Sequence, residues 1–218
     1  MRLIRRLKRI IMKKLGLIFC LSFTLSLPVI AEGDAEAGKT KAITCGACHG
    51  ADGNSLVDAN PKLAGQHAVY LAKQLMDFQL ATKTGGAEGR NNAVMGGMAA
   101  PLSTQDINDL AAYFSSQKQT PGETPEDVVA TGSKLFMGGD SSRGITACAA
   151  CHGPKGNGLG LANIPDISGQ HSAYVKAQLE AFRDGSRAND MNSMMQDIAK
   201  RLSNEDIDVL SKYVAGLH

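Results

Sequence analysis

The sequence predicts an all-α protein made of two copies of one domain. Three observations carry this reading. A set of residues recurs in order about a hundred positions later. Apolar residues recur at helical spacing, with no convincing run of alternating strand residues. A Ser-x-x-Asp signature, the mark of a helix N-terminus, opens the last helix of each copy.

The repeat is in register over most of the chain. Cys45-Gly46-Ala47-Cys48-His49-Gly50 returns as Cys148-Ala149-Ala150-Cys151-His152-Gly153, an offset of 103, and Gly53-Asn54 returns as Gly156-Asn157. Pro61, Gly65, Gln66, His67, Tyr70, Gln74, Leu75 and Phe78 return at an offset of 104, from Pro165 to Phe182. Leu102-Ser103, Asp106-Ile107, Leu110 and Tyr113 return at an offset of 100, from Leu202 to Tyr213. The offset drifts only by small loop insertions, so this is a tandem duplication and not a solenoid. Residues 119–126 contain Pro121, Gly122 and Pro125 and read as a linker. The domains are then 32–118 and 127–218, each within the usual size range of a domain.

Within each copy the elements are helices joined by Gly-rich loops. Leu71, Leu75 and Phe78 fall at i, i+4 and i+7, and Val175, Leu179 and Phe182 repeat the pattern. Ile107, Leu110, Ala111 and Phe114 form a second stripe behind the Ser103-x-x-Asp106 box, with Ser203-x-x-Asp206 as its counterpart.

The N-terminus belongs to neither copy. Residues 1–14 hold seven basic side chains and no acid, Leu15 to Ile30 is an uncharged apolar run, and Val29-Ile30-Ala31 ends it with a small residue. This is the layout of a cleaved signal peptide spanning 1–31, and the run is short for a membrane anchor of about twenty residues. Cys20 lies mid-run behind bulky Ile18 and Phe19, a poor setting for lipid modification. The segment accounts for two oddities of the whole chain. The formal charge of +2 becomes −5 without it, as 16 basic residues face 21 acidic ones. The five cysteines become four. Neither charge gives a reason to expect a nucleic-acid partner.

Cys-x-x-Cys-His is the attachment signature of c-type haem, in which the two thiols bond the haem vinyl groups. Residues i and i+3 share one side of a helical turn, so both sulfurs reach one macrocycle, and the next residue presents its imidazole to iron. His49 and His152 are therefore the expected proximal ligands, with Cys45, Cys48, Cys148 and Cys151 as attachment points. The competing readings explain less. A thioredoxin-like redox pair needs a βαβ setting. A zinc site drawn from both pairs, or a disulfide within each, leaves the repeated histidine without a purpose.

The duplication also selects the sixth ligands. Met95 and Met195 each lie seven residues before the Leu-Ser pair, whereas Met98, Met194 and Met191 face Ile198, Val94 and Asn91 in the other copy. Met95 and Met195 are the expected distal ligands. The bland alternative is methionine as core filler. His67 and His171 also correspond and raise a bis-histidine alternative, but each opens an amphipathic helix beside Gly-Gln, the setting of an exposed or capping histidine. Pro61 and Pro165, 12 and 13 residues after the histidines, are expected to accept the second ring N–H through their carbonyls, beyond simply turning the loop.

These residues resemble the class I cytochrome c fold, and the tandem resembles the dihaem cytochrome c4 family. The phrases CGACHGADGNS, PKLAGQHAVYLAKQL, PLSTQDINDLAAYFSSQK, CAACHGPKGNG and LSNEDIDVLSKYVAGLH carry the resemblance, which covers nearly the whole chain after residue 31. The family's ligands fall on Cys45, Cys48, His49 and Met95, then Cys148, Cys151, His152 and Met195. The resemblance implies two covalently bound haem c groups, close together across the domain interface. It further implies a periplasmic electron carrier, loosely associated with the inner membrane, passing electrons from a cytochrome bc complex toward a terminal oxidase.

Two filled axial positions favour outer-sphere one-electron transfer with redox-protein partners and disfavour a dihaem peroxidase, which needs an open site. An electron-accepting subunit bound to a dehydrogenase is the other candidate; a non-redox binding module fits covalent haem poorly. Only eight Phe and Tyr remain beyond the signal segment. Two domains of about ninety residues are marginal on such cores, so haem is expected to complete them.

Overall fold

The computed structural model describes residues 33–218, and the expected signal peptide lies outside them. The first copy contains α1 (Ala35–Lys41), α2 (Ile43–His49), α3 (Ala68–Thr84), α4 (Ala93–Ala99) and α5 (Thr104–Ser116). The second contains α6 (Glu126–Gly138), α7 (Ala149–His152), α8 (Ser172–Asp184), α9 (Met194–Ala199) and α10 (Asn204–Ala215). Short 3₁₀ turns occupy Gly160–Ala162 and Met191–Ser193. Among the described residues the only β-pairing is two isolated bridges, Asp140 with Ile145 and Leu159 with Ile164. No described helix is long and apolar enough to cross a membrane.

The helix boundaries follow local chemistry. Ser103 and Ser203 each form a complete capping box, the hydroxyl accepting from the N3 amide while the Asp106 or Asp206 carboxylate accepts from the cap amide. Gly85 and Gly185 end α3 and α8 in the left-handed region, which a residue without Cβ adopts at no steric cost.

The same packing plan appears twice: α1 crosses α5 as α6 crosses α10, and the long helices α3 and α8 lie against α5 and α10 respectively. The crossings are close enough to require glycine. A Cβ on Gly38 would sit 2.0 Å from the Asp109 carbonyl oxygen, and one on Gly132 would sit 2.6 Å from Cβ of Tyr213. The buried clusters are small. One holds Ala42, Leu71, Leu110, Ala111, Tyr113 and Phe114; the other holds Leu135, Phe136, Ile145, Leu202, Ile207, Leu210 and Val214. Cys45 packs against the first and Cys148 against the second.

The copies join through reciprocal contacts. Gln66 Nε2 donates to the Asp166 carbonyl at 2.6 Å, and its Oε1 accepts from the Asp166 amide at 3.0 Å. Gln170 makes the same pair with Lys62, both bonds at 2.9 Å. The connecting residues are pinned. Thr120 N donates to Asn54 Oδ1 at 2.8 Å, Lys62 Nζ donates to the Thr120 carbonyl at 2.8 Å, and Thr124 Oγ1 donates to the Tyr213 carbonyl at 2.9 Å. Helix α6 begins at Glu126, one residue inside the stretch read as linker.

Matched ion pairs tie the first helical region of each copy to its last helix. Lys41 bridges Asp106 and Asp109, and Arg143 bridges Asp140 and Asp206. Hydrogen bonds from Lys41 hold Asp106 and Asp109 below the usual carboxylate range, and Arg143 does the same for Asp206. A carboxyl whose folded pKa is lowered stabilises the fold above its unfolded value of ~3.9, and that contribution is lost as pH falls through the lowered value. The melting temperature, followed by circular dichroism, is expected to be level above about pH 5 and to fall steadily below about pH 4. A flat or rising profile on acidification would remove this role.

Candidate functional site

Two equivalent sites form around the Cys-x-x-Cys-His segments. Helix α2 carries the first and the single turn α7 ends the second. The four cysteines form no disulfide with one another; Cys45 and Cys148 are half-buried, Cys48 and Cys151 exposed. Burial raises the Cys45 thiol above its ordinary pKa and pushes Cys148 up to about 11. Neither of these two shows the lowered pKa that activates a redox cysteine.

The histidines behind them are buried, with 7% of His49 and 8% of His152 exposed. His49 Nδ1 lies 2.9 Å from the Pro61 carbonyl, and His152 Nδ1 lies 3.1 Å from that of Pro165. A carbonyl only accepts, so Nδ1 carries the proton and Nε2 keeps its lone pair. Burial lowers the pKa of both rings, partly offset by these carbonyl bonds. Each ring is thus held neutral, in one tautomer and one orientation, the form in which imidazole binds a metal.

Met95 and Met195 are half-buried, whereas Met98, Met191 and Met194 are exposed. The two backbone settings differ. Met95 N donates to Asn92 Oδ1 at 2.9 Å in an ordinary N-cap. Met195 N donates to Asp190 Oδ2 at 2.8 Å across a kink in which Asn192 and Ser193 both have positive φ, 53° and 56°. Equivalent bonds secure the C-terminal side of these segments: Gln79 reaches the Leu102 carbonyl at 2.7 Å and Arg183 reaches that of Leu202 at 3.3 Å.

His67 and His171 are neither exposed nor side-chain caps. Both occupy the N-cap position without a side-chain capping bond. Each reaches across the domain boundary instead: His67 Nε2 lies 2.8 Å from the Asn157 carbonyl, and His171 Nε2 lies 2.9 Å from that of Ser55. These bonds commit Nε2 as a donor, which removes the nitrogen a bis-histidine arrangement would use.

One pair of residues escaped the repeat comparison. Arg90 and Arg187 sit at no common offset, yet their amides donate to the carbonyls of Asp77 and Ala181, which are equivalent positions, at 2.9 Å each. Arg90 Nη1 donates to Gln74 Oε1 at 2.9 Å, and its Nη2 donates to Tyr174 Oη and Gln178 Oε1 at 3.0 and 2.7 Å. Arg187 Nη1 donates to Gln178 Oε1 at 2.8 Å, and its Nη2 donates to Tyr70 Oη and Gln74 Oε1 at 2.9 and 3.1 Å. Burial works against ionisation of Tyr174, but the two guanidiniums outweigh it and lower its pKa. The available signal was the repeated Tyr and Gln on an otherwise apolar helix face.

Taken residue by residue, each copy offers two thiols, one neutral imidazole nitrogen and one half-buried thioether. That donor set suits an iron already held by a macrocycle bonded to the thiols. The comparisons agree. The cytochrome c family model matches residues 35–118 and again 129–218. Cytochrome c4 of Stutzerimonas stutzeri is 50% identical over 191 residues, 86% of this chain and 91% of that protein. The thiosulfate dehydrogenase electron acceptor of Thiomonas intermedia is 40% identical over 184 residues, 82% of this chain and 81% of that protein. The crystal structure of reduced recombinant cytochrome c4 from Pseudomonas stutzeri superposes with a TM-score of 0.83 at 49% identity, covering 85% of this chain and all of that one. The chain belongs to the dihaem cytochrome c4 family, and it is an electron-transfer protein carrying two covalently bound haem c groups.

Proposed function

We propose that Cys45 with Cys48, and Cys148 with Cys151, form the thioether bonds, that His49 and His152 are the proximal ligands, and that Met95 and Met195 are the distal ones. The observation that carries this reading is the repeated histidine–proline shell: two buried imidazoles, each with its Nδ1 proton committed to a proline carbonyl. The haem supplies one-electron chemistry at its iron; the chain holds both axial positions and so favours outer-sphere transfer over substrate chemistry. The domains are taken as 32–118 and 127–218, joined by 119–126.

The carrier is placed in the periplasm, exported by the 1–31 signal and loosely associated with the inner membrane. It passes electrons from a cytochrome bc complex toward a terminal oxidase. Transient docking is supported by apolar side chains left in water near the attachment segments: Leu56 and Leu161 are 96% and 98% exposed, and Ile43 and Leu159 are also exposed. Likeness to the thiosulfate dehydrogenase electron acceptors supports a second reading, a dedicated acceptor of a dehydrogenase.

Membrane vesicles containing the bc complex separate the two. Quinol is expected to reduce the added chain at a rate that bc inhibitors abolish. Inhibitor-insensitive reduction, with a dehydrogenase co-purifying stably with the chain, would favour the acceptor reading.

A further inference from the structure

The peptides gripped by Gln66 and Gln170 are the ones that hold the two buried histidines. Gln66 Oε1 accepts from the Asp166 amide at 3.0 Å. The carbonyl of that same peptide unit is Pro165, which accepts the His152 Nδ1 proton at 3.1 Å. Gln170 Oε1 accepts from the Lys62 amide at 2.9 Å. The carbonyl of that unit is Pro61, which accepts from His49 Nδ1 at 2.9 Å. Each chain of two hydrogen bonds therefore starts on a side chain of one domain, crosses a single peptide unit, and ends on the buried histidine of the other.

Both glutamines are themselves buried, 8% and 5% exposed. Their amide orientation is fixed from both ends. Oε1 also accepts from the adjacent backbone amide, that of His67 at 3.0 Å or His171 at 3.1 Å, while Nε2 donates to the Asp166 or Lys62 carbonyl. Glutamine and proline repeat between the copies, whereas the residue that carries the gripped amide changes from Lys62 to Asp166. The contact thus depends on the peptide and not on the side chain it carries.

We propose that Gln66 and Gln170 are positioning residues that act across the domain boundary, Gln66 on the iron ligand His152 and Gln170 on the iron ligand His49. This rests on the ligand assignment above. A peptide whose N–H is engaged has a more strongly accepting carbonyl, because bonds in a chain polarise one another by ~10–30% each. A stronger acceptor at Nδ1 raises the basicity of the imidazole at Nε2. A more basic ligand favours ferric iron and lowers the reduction potential. Each domain then sets part of the potential of the other.

Gln66→Met and Gln170→Met roughly keep the side-chain volume and remove the acceptor. The test is a redox titration of the holoprotein followed by nuclear magnetic resonance. The methyl resonances of each haem report it separately, and their contacts with the thioether-bonded cysteines assign it to a domain. Gln66→Met is expected to raise the reduction equilibrium constant of the second-domain haem about threefold, ~28 mV at 59 mV per tenfold. The first-domain haem should stay nearly unchanged. Gln170→Met should do the reverse. In the ferrous protein the His152 Nδ1 proton should move upfield in Gln66→Met, and that of His49 in Gln170→Met, as the weakened bond requires.

A glutamine that merely braced its own loop would disturb the haem of its own domain. A shift in that domain, equal shifts at both haems, or no shift at either would overturn the proposal. Where a methionine variant does not accumulate, Gln66→Asn or Gln170→Asn, one methylene shorter, gives the same reading with a smaller disturbance. Mass spectrometry of the wild-type chain checks the haem reading independently. A mass lacking two haems removes both readings, whereas two haems with unmoved potentials in the variants remove this one alone.

Discussion

Replacing Cys45, Cys48, Cys148 and Cys151 with alanine is expected to abolish the cooperative fold. Far-ultraviolet circular dichroism of this chain should show less than about half the helical signal of the holoprotein and no sharp thermal transition. The size of the effect follows from the cores. The first contains two alanines among its six buried residues, and the second contains a single aromatic ring. Domains of this size are marginal even with ordinary cores. Cys45 and Cys148 sit on the rims of these clusters, so a large apolar group bonded there extends the core directly. Losing both groups is expected to cost an amount comparable to a domain's whole stability, ~5–15 kcal/mol. A cysteine-free chain that melts cooperatively near the holoprotein's temperature would show that the polypeptide cores suffice.

The second large effect concerns the distal ligands. Met95→Ala and Met195→Ala are each expected to remove about half of the near-infrared band of the ferric protein that reports methionine–iron bonding, and to lower the potential of the affected haem. Met98→Ala and Met191→Ala serve as controls, since both side chains are exposed, and should leave the band intact. If neither of the first pair diminishes the band, the axial assignment fails. Two half-amplitude losses would also argue against a peroxidase-type open site in either domain.

Features written within one copy were legible from the sequence. The helical stripes and both capping boxes depend on residues three or four apart, and such spacing survives any arrangement of the rest. The histidine-to-proline contact spans 12 or 13 residues inside one loop, and the duplication displayed it twice. Features made between copies were not legible. His67 and His171 looked like exposed or capping residues because nothing local says which face of α3 or α8 meets the other domain. The carbonyls they reach lie 90 and 116 positions away. Arg90 and Arg187 were hidden by loop length. Arg90 follows its anchoring carbonyl by 13 residues and Arg187 by 6, so no fixed offset aligns them although the backbone brings them to equivalent places. The kink before Met195 was also invisible, since Asn192 and Ser193 adopt positive φ without the glycine that usually announces it.

The paired glutamines have a consequence beyond holding two domains together. Gln66 grips the peptide of Asp166 and Gln170 grips that of Lys62, and these are the same residue and its counterpart seen from either side. A patch that meets its own equivalent is an isologous contact, the signature of a twofold dimer. Here both partners are written into one chain. Covalent connection replaces a dissociation constant with a fixed local concentration. The two redox centres therefore remain a pair at any dilution, with no dependence on how much of the protein the cell makes.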